Sequence, residues 1–254
     1  MVEVEDLTVE AAWKVGNLGD FAERVERAAR TVDALVGERE AAAVIYEAAL
    51  MKSGRRQPEV RELVDRFRER FEDEEEDLTI PRMSGIMGVE SDEWFFGDDS
   101  LRLLAGMLLG QFQHRVAQYS YLSERDVLRR WADAYDTRLF IRRRIYDTEP
   151  VVGVVAGFDL ALLQNLRVLC GGNTLVPTAG VARTLSNLGF SGEDDAYETL
   201  ARAEGLALHL ELPAPMVGAM LEDLYGEDFT DFSEPPEKAA QKENPDDMEV
   251  DEQE

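Results

Sequence analysis

Apolar residues recur every three or four positions along the first 77 residues, which is the spacing of one face of an α-helix. The segments that show this spacing most clearly are residues 17–37, 38–54 and 57–71. The stripe of the first segment consists of Phe21, Val25, Ala28, Val32 and Leu35. Gly37 follows that stripe as a capping residue, and Pro58 suits the first turn of the third segment. The pattern predicts a small helical bundle at residues 1–77.

A second helical region follows an acidic run at residues 72–77. Contiguous carboxylates typically form a solvated boundary, so we expect an acidic, irregular linker at residues 78–98. Asp98 or Asp99 can then cap a helix that is apolar nearly all round. Its apolar residues are Leu101, Leu103, Leu104, Met107, Leu108 and Leu109. This composition indicates a central, buried helix.

The remainder of this region also favours helices. Ser123 and Asp126 have the spacing of a capping box, with aspartate in place of the usual glutamate or glutamine. Further helical patterns occur at residues 159–170, 178–188, 191–205 and 216–226. The fold class that we expect is mostly α, with the larger helical domain at residues 99–226. Residues 151–158 fit either a short strand or a buried turn.

The composition changes sharply after Gly226. Residues 227–254 contain 12 acidic residues and two lysines, few of their residues are apolar, and Phe229 and Phe232 are their only aromatic residues. So little apolar surface does not offset the entropy lost on ordering a chain. We therefore expect a disordered acidic tail.

The chain is strongly acidic, with 53 Asp and Glu against 27 Lys and Arg and a formal net charge of −26. Arginine outnumbers lysine 23 to 4. Acidic residues in every segment keep a protein hydrated at molar salt, which also screens their mutual repulsion. The pattern indicates a halophilic protein of the cytoplasm. Because acidity is general in such a cytoplasm, the net charge does not exclude a nucleic-acid partner.

Cysteine usage and the N-terminus narrow the class of protein. The one cysteine, Cys170, lies in an apolar helical pattern, which excludes an intrachain disulfide and indicates a buried apolar residue. The N-terminus is acidic and lacks the basic and apolar regions of a signal peptide. No run approaches the roughly 18 apolar residues that a membrane span needs. We expect a soluble cytoplasmic protein with no membrane partner.

Familiar catalytic motifs are absent from the sequence. It contains no glycine-rich phosphate loop with its lysine, no metalloprotease histidine pair and no nucleophile elbow. His114 and His209 are far apart and have no cysteine or acidic residue at metal-ligand spacing. We therefore assign no metal, no cofactor and no catalytic residue, and whether the chain is an enzyme stays open.

Three stretches carry a resemblance by their order. The first is SLRLLAGMLLGQFQ, which contains Gln111, the second is GVVAGFDLALLQNLRVL, and the third is LVPTAGVARTLSNLGF. Residues 100–226 thereby resemble the helix-hairpin-helix DNA glycosylases, the endonuclease III-like superfamily. In that family a buried helix ends in a DNA-probing glutamine, and a glycine hairpin with its helix follows. An apolar segment and a helix with an aspartate at its entrance come next. The resemblance implies a helical protein that binds or repairs DNA.

The chain departs from this family at its chemical groups. Residues 177–180 occupy the helix entrance and none is ionisable, whereas the family's aspartate stabilises positive charge that develops on the sugar. No lysine lies between Lys52 and Lys238, so the Schiff base of the bifunctional members cannot form. Gly153 and Gly157 also stand further apart than the family's hairpin glycines. Base excision would need an acid relocated from elsewhere in the chain.

The resemblance and the local charge give a set of candidate nucleic-acid-binding residues. Four arginines with no acid among them lie between residues 138 and 146, and they either contact phosphate or form a solvated face. The candidates are Gln111, Arg138, Arg142, Arg143, Arg144, Gly153, Gly157, Asn173 and Thr178. The first hypothesis is a DNA-binding or DNA-repair-related protein without the usual catalytic Asp and Lys. The alternative is a non-enzymatic interaction or regulatory protein of a halophile with a protein partner and no nucleic-acid role.

Overall fold

The computed structural model describes residues 4–37, 39–71, 77–87, 93–133, 149, 151–190, 195–227 and 229. Within these residues eleven α-helices form and no β-strand does, which confirms the mostly α fold class. The helices are α1 Val4–Gly16, α2 Phe21–Val36, α3 Ala41–Leu50, α4 Gln57–Phe71, α5 Ile80–Met87, α6 Asp99–Gln118, α7 Glu124–Asp133, α8 Leu160–Leu169, α9 Ala179–Asn187, α10 Ala196–His209 and α11 Ala214–Asp223. Single 3₁₀ turns at Met51–Ser53 and Glu93–Phe95 follow α3 and precede α6.

Short polar side chains start several of these helices. The caps of α6, α8, α9 and α10 are Asp98, Asp159, Thr178 and Asp195, and each accepts a hydrogen bond from a first-turn N–H at 2.8–3.2 Å. At the start of α7 the Asp126 N–H donates to Ser123 Oγ at 3.1 Å, and the Ser123 hydroxyl donates to the Asp126 carboxylate at 2.7 Å. Ser123 therefore caps α7 as the sequence predicts, and Asp126 binds the hydroxyl of Ser123.

The first of two apolar clusters is built around α3, whose ten residues are all buried. Helices α4, α5, α6, α7 and α8 pack around it. Glu47, fully buried in α3, forms ion pairs with Arg39 and, at 3.4 Å, with Arg61. The hydroxyl of Tyr46 donates to the carbonyl of Trp94, and burial raises the pKa of Tyr46. Each buried polar group named here has a partner, as a low-dielectric core requires.

The second cluster combines the first two helices with the last three, namely α1, α2, α9, α10 and α11. Helix α2 packs on α11, and α1 packs on α10. Ion pairs extend the contact between α2 and α11, because Arg24 and Arg27 bind the carboxylate of Asp223 at 3.0 and 2.8 Å. The chain thus starts in the second cluster, builds the first with α3 to α8, and returns to the second.

This path differs from the division that the apolar pattern suggests. The helices of residues 1–77 do not form one bundle, because α1 and α2 belong to the second cluster while α3 and α4 belong to the first. An apolar stripe shows that a helix face is buried, but it does not show which helix covers that face. The predicted boundary between residues 1–77 and 99–226 therefore does not follow the two clusters.

Two segments differ from the sequence-based expectation in their burial. Part of the segment expected to be an irregular linker is helix α5, where Ile80, Met83 and Met87 are buried and α6 packs against it. Helix α6 itself is not buried all round, since Leu103 is 57% exposed and Met107 is 40% exposed. Only part of its apolar surface faces the first cluster.

The beginning of the acidic tail packs on the second cluster. Phe229 is only 3% exposed there, and the Arg24 guanidinium binds Glu227 at 3.0 Å. The remainder of the predicted disordered tail lies outside the described residues. None of the described helices combines the length and the apolar content that a membrane span requires.

Candidate functional site

A cavity of about 460 Å³ lies where the two clusters meet, and we call it the junction pocket. Helix α8 lines it from the first cluster, and α2, α9 and α11 line it from the second. Its apolar lining includes Leu35, Leu162, Val168, Leu175, Val181 and Ala219. Its polar lining consists of Thr31, Gln57, Asn165, Thr178 and Glu222. A mostly apolar cavity of a few hundred Å³ with a few polar groups is typical of small-ligand sites.

Three helices begin at the junction pocket. The lining residues Leu162, Val181 and Pro215 lie in the first turns of α8, α9 and α11. The free N–H groups and the dipole of a helix place positive partial charge at its N-terminus. Glu222, which lines the pocket beside the start of α9, is placed to meet this positive partial charge.

A buried polar chain holds the segment between α8 and α9, which forms one wall of the pocket. Arg167 donates to the carbonyl of Ala132 in α7 at 3.0 and 2.9 Å, and to Gln164 Oε1 at 3.0 Å. Gln164 Nε2 donates to the hydroxyl of Thr174 at 3.0 Å, and Thr174 donates to Glu204 of α10 at 2.8 Å. The chain of bonds runs from the first cluster to the second and fixes the wall between them.

Gly171 and Gly172, which end α8, have a structural role. Gly171 adopts a left-handed φ of 85°, and the Gly172 N–H donates to the Arg167 carbonyl at 2.8 Å. A Cβ at residue 172 would lie 3.1 Å from the Cβ of Ala132, so glycine permits the close approach of α7. Cys170, immediately before them, is half-buried, and burial raises the pKa of its thiol to about 12. A thiol with so high a pKa is a poor nucleophile.

Asn165 is the most unusual polar group of the pocket. It lies on α8, and its Nδ2 is buried with no hydrogen-bond partner among the residues that the structure describes. Burial of an amide N–H without a hydrogen bond destabilises the fold, because the lost hydrogen bond to water is not replaced. Native proteins leave few such groups, and many of those have a functional reason.

Glu222 brings a carboxylate to the entrance of α9, where residues 177–180 contain no ionisable group. The Thr178 hydroxyl donates to Glu222 Oε1, so the residue that caps α9 also holds this carboxylate. Gly180 leaves room for it, because a Cβ at that position would collide with the Glu222 side chain. Sequence reasoning missed Glu222, since it lies 44 residues after Thr178 on another helix.

Of the candidate nucleic-acid-binding residues that the structure describes, one lies at the pocket. Thr178 lines it, whereas Gln111 is half-buried on α6 and does not line it. Asn173 accepts a hydrogen bond from the Ala214 N–H at 2.9 Å, so its side chain fixes the start of α11. The four arginines at 138 and 142–144 lie outside the described residues.

The glycine turn before α8 is organised by a buried carboxylate. Residues 151–158 form turns, and Glu149 accepts hydrogen bonds from the N–H groups of Val151, Val152 and Gly153 at 2.5–3.3 Å. The Trp131 indole donates to the other Glu149 oxygen at 2.9 Å. Because these amides are already bonded, they offer little to a phosphate. Gly157 is exposed, has a left-handed φ of 81° and is not among the residues whose N–H groups bind Glu149.

Comparisons with protein-family models, with curated proteins and with solved structures find no match for this chain. Within the described residues no three His, Cys, Asp or Glu side chains are grouped so that they could hold a metal ion.

Proposed function

We propose that this chain binds DNA and holds one unstacked base in the junction pocket. The observation that carries the proposal is the location of the pocket. Its lining includes Thr178 at the entrance of α9, which is the point where the resemblance implies the family's functional residue. A cavity at this point supports a DNA-related role for the chain.

The size and lining of the pocket suit a base. A volume of about 460 Å³ falls in the range of small-ligand sites. A base that leaves the duplex loses its stacking, and apolar walls replace part of that contact. The walls supplied by Leu162, Leu175 and Val181 have this character, while Asn165 and Glu222 offer hydrogen bonds to a base edge.

Arginines next to the pocket supply contacts for phosphate. Arg27, Arg30 and Arg61, which we call the arginine rim, line a depression that shares Thr31 and Gln57 with the junction pocket. Each of the three is paired with an acid, but the Arg30–Glu26 pair is 3.9 Å long and both side chains are more than two-thirds exposed. Exposed pairs of this kind contribute little energy, so Arg30 can exchange its partner for a phosphate.

The proposal is one of binding without lyase chemistry. The sequence provides no lysine between Lys52 and Lys238 for a Schiff base. Among the described residues that line the pocket, Glu222 is the only carboxylate, and it is held by Thr178. If the chain excised a base and this activity depended on Glu222, the same pocket would be a catalytic site as well as a binding site. The proposal that the pocket binds a base would be unchanged.

The test is fluorescence anisotropy with a labelled duplex, in the lowest KCl at which circular dichroism still shows the folded chain. We expect binding that weakens linearly in a plot of log K against log salt, because phosphate contacts release counterions. Arg30→Gln should reduce the slope by about 0.9, the value for one phosphate contact. Arg130→Gln is the control, since Arg130 is exposed on α7 and lines neither the pocket nor the rim. Absence of DNA binding by the folded wild-type chain would contradict the proposal.

A protein-interaction role is the second candidate, and the exposed apolar residues of α6 favour it. Leu103 and Met107 lie one turn apart and are 57% and 40% exposed. Exposed apolar patches of soluble proteins often mark interaction surfaces. Light scattering over a range of protein concentrations tests self-association through this face. A measured mass above that of the monomer, which decreases in the Leu103→Gln variant, would support the second candidate. A mass that stays at the monomer value at all concentrations would exclude self-association through this face.

A further inference from the structure

We infer that the junction pocket selects a planar heterocycle that carries an amino group, and that Glu222 and Asn165 are the residues that recognise it. This inference rests on the proposed function and narrows its ligand to a chemical class. The two side chains line one cavity from different helices, Glu222 from α11 and Asn165 from α8.

Glu222 lines the pocket while its side chain stays exposed, and it offers hydrogen-bond acceptors to a ligand. An ionised carboxylate only accepts hydrogen bonds, and each of its oxygens can accept more than one. Thr178 supplies one bond to Oε1, and the positive end of α9 stabilises the charge. A purely apolar ligand that covered this exposed carboxylate would displace its water without replacing the hydrogen bonds, which is costly. An amino group bonded to a ring satisfies the carboxylate and keeps the ligand flat.

Asn165 requires a hydrogen-bond acceptor. Its Nδ2 has no partner within the described residues, while the side chain lines the cavity. Rotation of the amide about its last torsion exchanges Oδ1 and Nδ2, so the donor can turn to the cavity. A ring nitrogen or a ring carbonyl then completes the hydrogen bond that the unliganded protein lacks.

A flat ring with an exocyclic amino group and a ring acceptor satisfies both residues, and adenine and cytosine carry such edges. The remaining lining is apolar and provides surfaces for the ring faces. The same ring occurs in a base of DNA and in a free base or nucleoside. Binding measurements with DNA and with small methylated purines distinguish these two sources.

The experiment measures binding of 9-methyladenine and 9-methylpurine to the full chain by isothermal titration calorimetry. The two ligands differ by the amino group alone, and the methyl group stands for the sugar. We expect 9-methyladenine to bind at least about tenfold more tightly, since hydrogen bonds to charged groups are strong. Glu222→Ala should remove this difference. Asp223→Asn is the matched control, because the neighbouring carboxylate faces α2 and does not line the pocket.

Asn165→Leu separates a binding role from a structural one. A leucine of similar size removes the unpartnered amide from a largely apolar site, so the melting temperature of the unliganded chain should rise. The affinity for both methylated purines should fall about tenfold, because each provides a ring acceptor for Asn165. A lower melting temperature with unchanged affinity would show that Asn165 acts in folding and would overturn its assignment.

The possible outcomes distinguish this inference from the proposed function. Equal affinity of the wild type for both purines overturns the inference, even where DNA is bound. Binding of DNA without binding of either purine overturns the inference and the base-holding half of the proposed function together. Selective binding of 9-methyladenine without DNA binding supports the inference and makes the ligand a free base or nucleoside.

Discussion

At the residue scale, Leu185 and Thr178 on the same helix have different energetic roles. Leu185 is 1% exposed in the second cluster, and Thr178 caps α9. Leu185→Ala should cost about 2–5 kcal/mol, as for other buried leucines. Thr178→Ala should cost about 0.5–2 kcal/mol for the lost cap. Urea denaturation at constant KCl measures both free energies of unfolding, and a larger loss for Thr178 would contradict this assignment.

The residues of the site differ in how far the sequence predicts them. The cap at Thr178 is a local interaction between neighbouring residues, so the sequence predicts it and the structure confirms it. The carboxylate of Glu222 reaches Thr178 from a helix 44 residues later, and no local pattern encodes that distance. Asn165 lies among leucines in α8, and only the packing around it leaves its Nδ2 without a partner.

At the element scale, the ion pairs of Asp223 join α11 to α2. The hydrogen bond from Arg27 and the charges of Arg27 and Arg24 hold the pKa of Asp223 below its ordinary value of 3.8. A lowered pKa stabilises the fold above the unfolded-state pKa, and the contribution is lost as pH falls through the folded-state pKa. Asp223→Asn should therefore lower the melting temperature at pH 6 and have no such effect at pH 2. An equal decrease in melting temperature at pH 6 and at pH 2 would contradict this link between the Asp223 pKa and stability.

Helix positions follow from the sequence more closely than helix partners do. Helix α4 occupies Gln57–Phe71, as its apolar stripe predicts. The stripe of α2 likewise predicts a buried face, but that face packs against α11, which is nearly 180 residues later in the chain. Periodicity contains no information on such long-range pairs, so the two clusters and the pocket between them become visible only in the structure.

At the scale of the whole molecule, the packing divides the acidic tail into two parts. Removal of residues 233–254 should leave the melting temperature nearly unchanged, since that segment has too little apolar surface to belong to a core. Removal of residues 227–254 should lower it clearly, because it also deletes Phe229 and the Arg24–Glu227 pair. Differential scanning calorimetry of both truncated chains checks this, and equal melting temperatures would contradict the packing of Phe229.

The net charge predicts how the whole chain responds to salt. A chain with a formal charge of −26 repels itself at low ionic strength, and added salt screens that repulsion. The melting temperature should therefore rise between 0.1 and 2 M KCl. A flat or falling melting temperature over this range would contradict the halophilic interpretation.

The central claim is that the junction pocket holds a base, and 2-aminopurine in a labelled duplex tests it most directly. This base fluoresces more strongly when it leaves the stack, and none of the described residues that line the pocket is an aromatic that could quench it. Wild-type protein should raise the fluorescence, while Ala161→Trp, which places a large side chain at an exposed lining position on α8, should leave it unchanged. Ala22→Trp is the control, because Ala22 is exposed on α2 away from the pocket. An equal rise with wild type and Ala161→Trp would contradict the account.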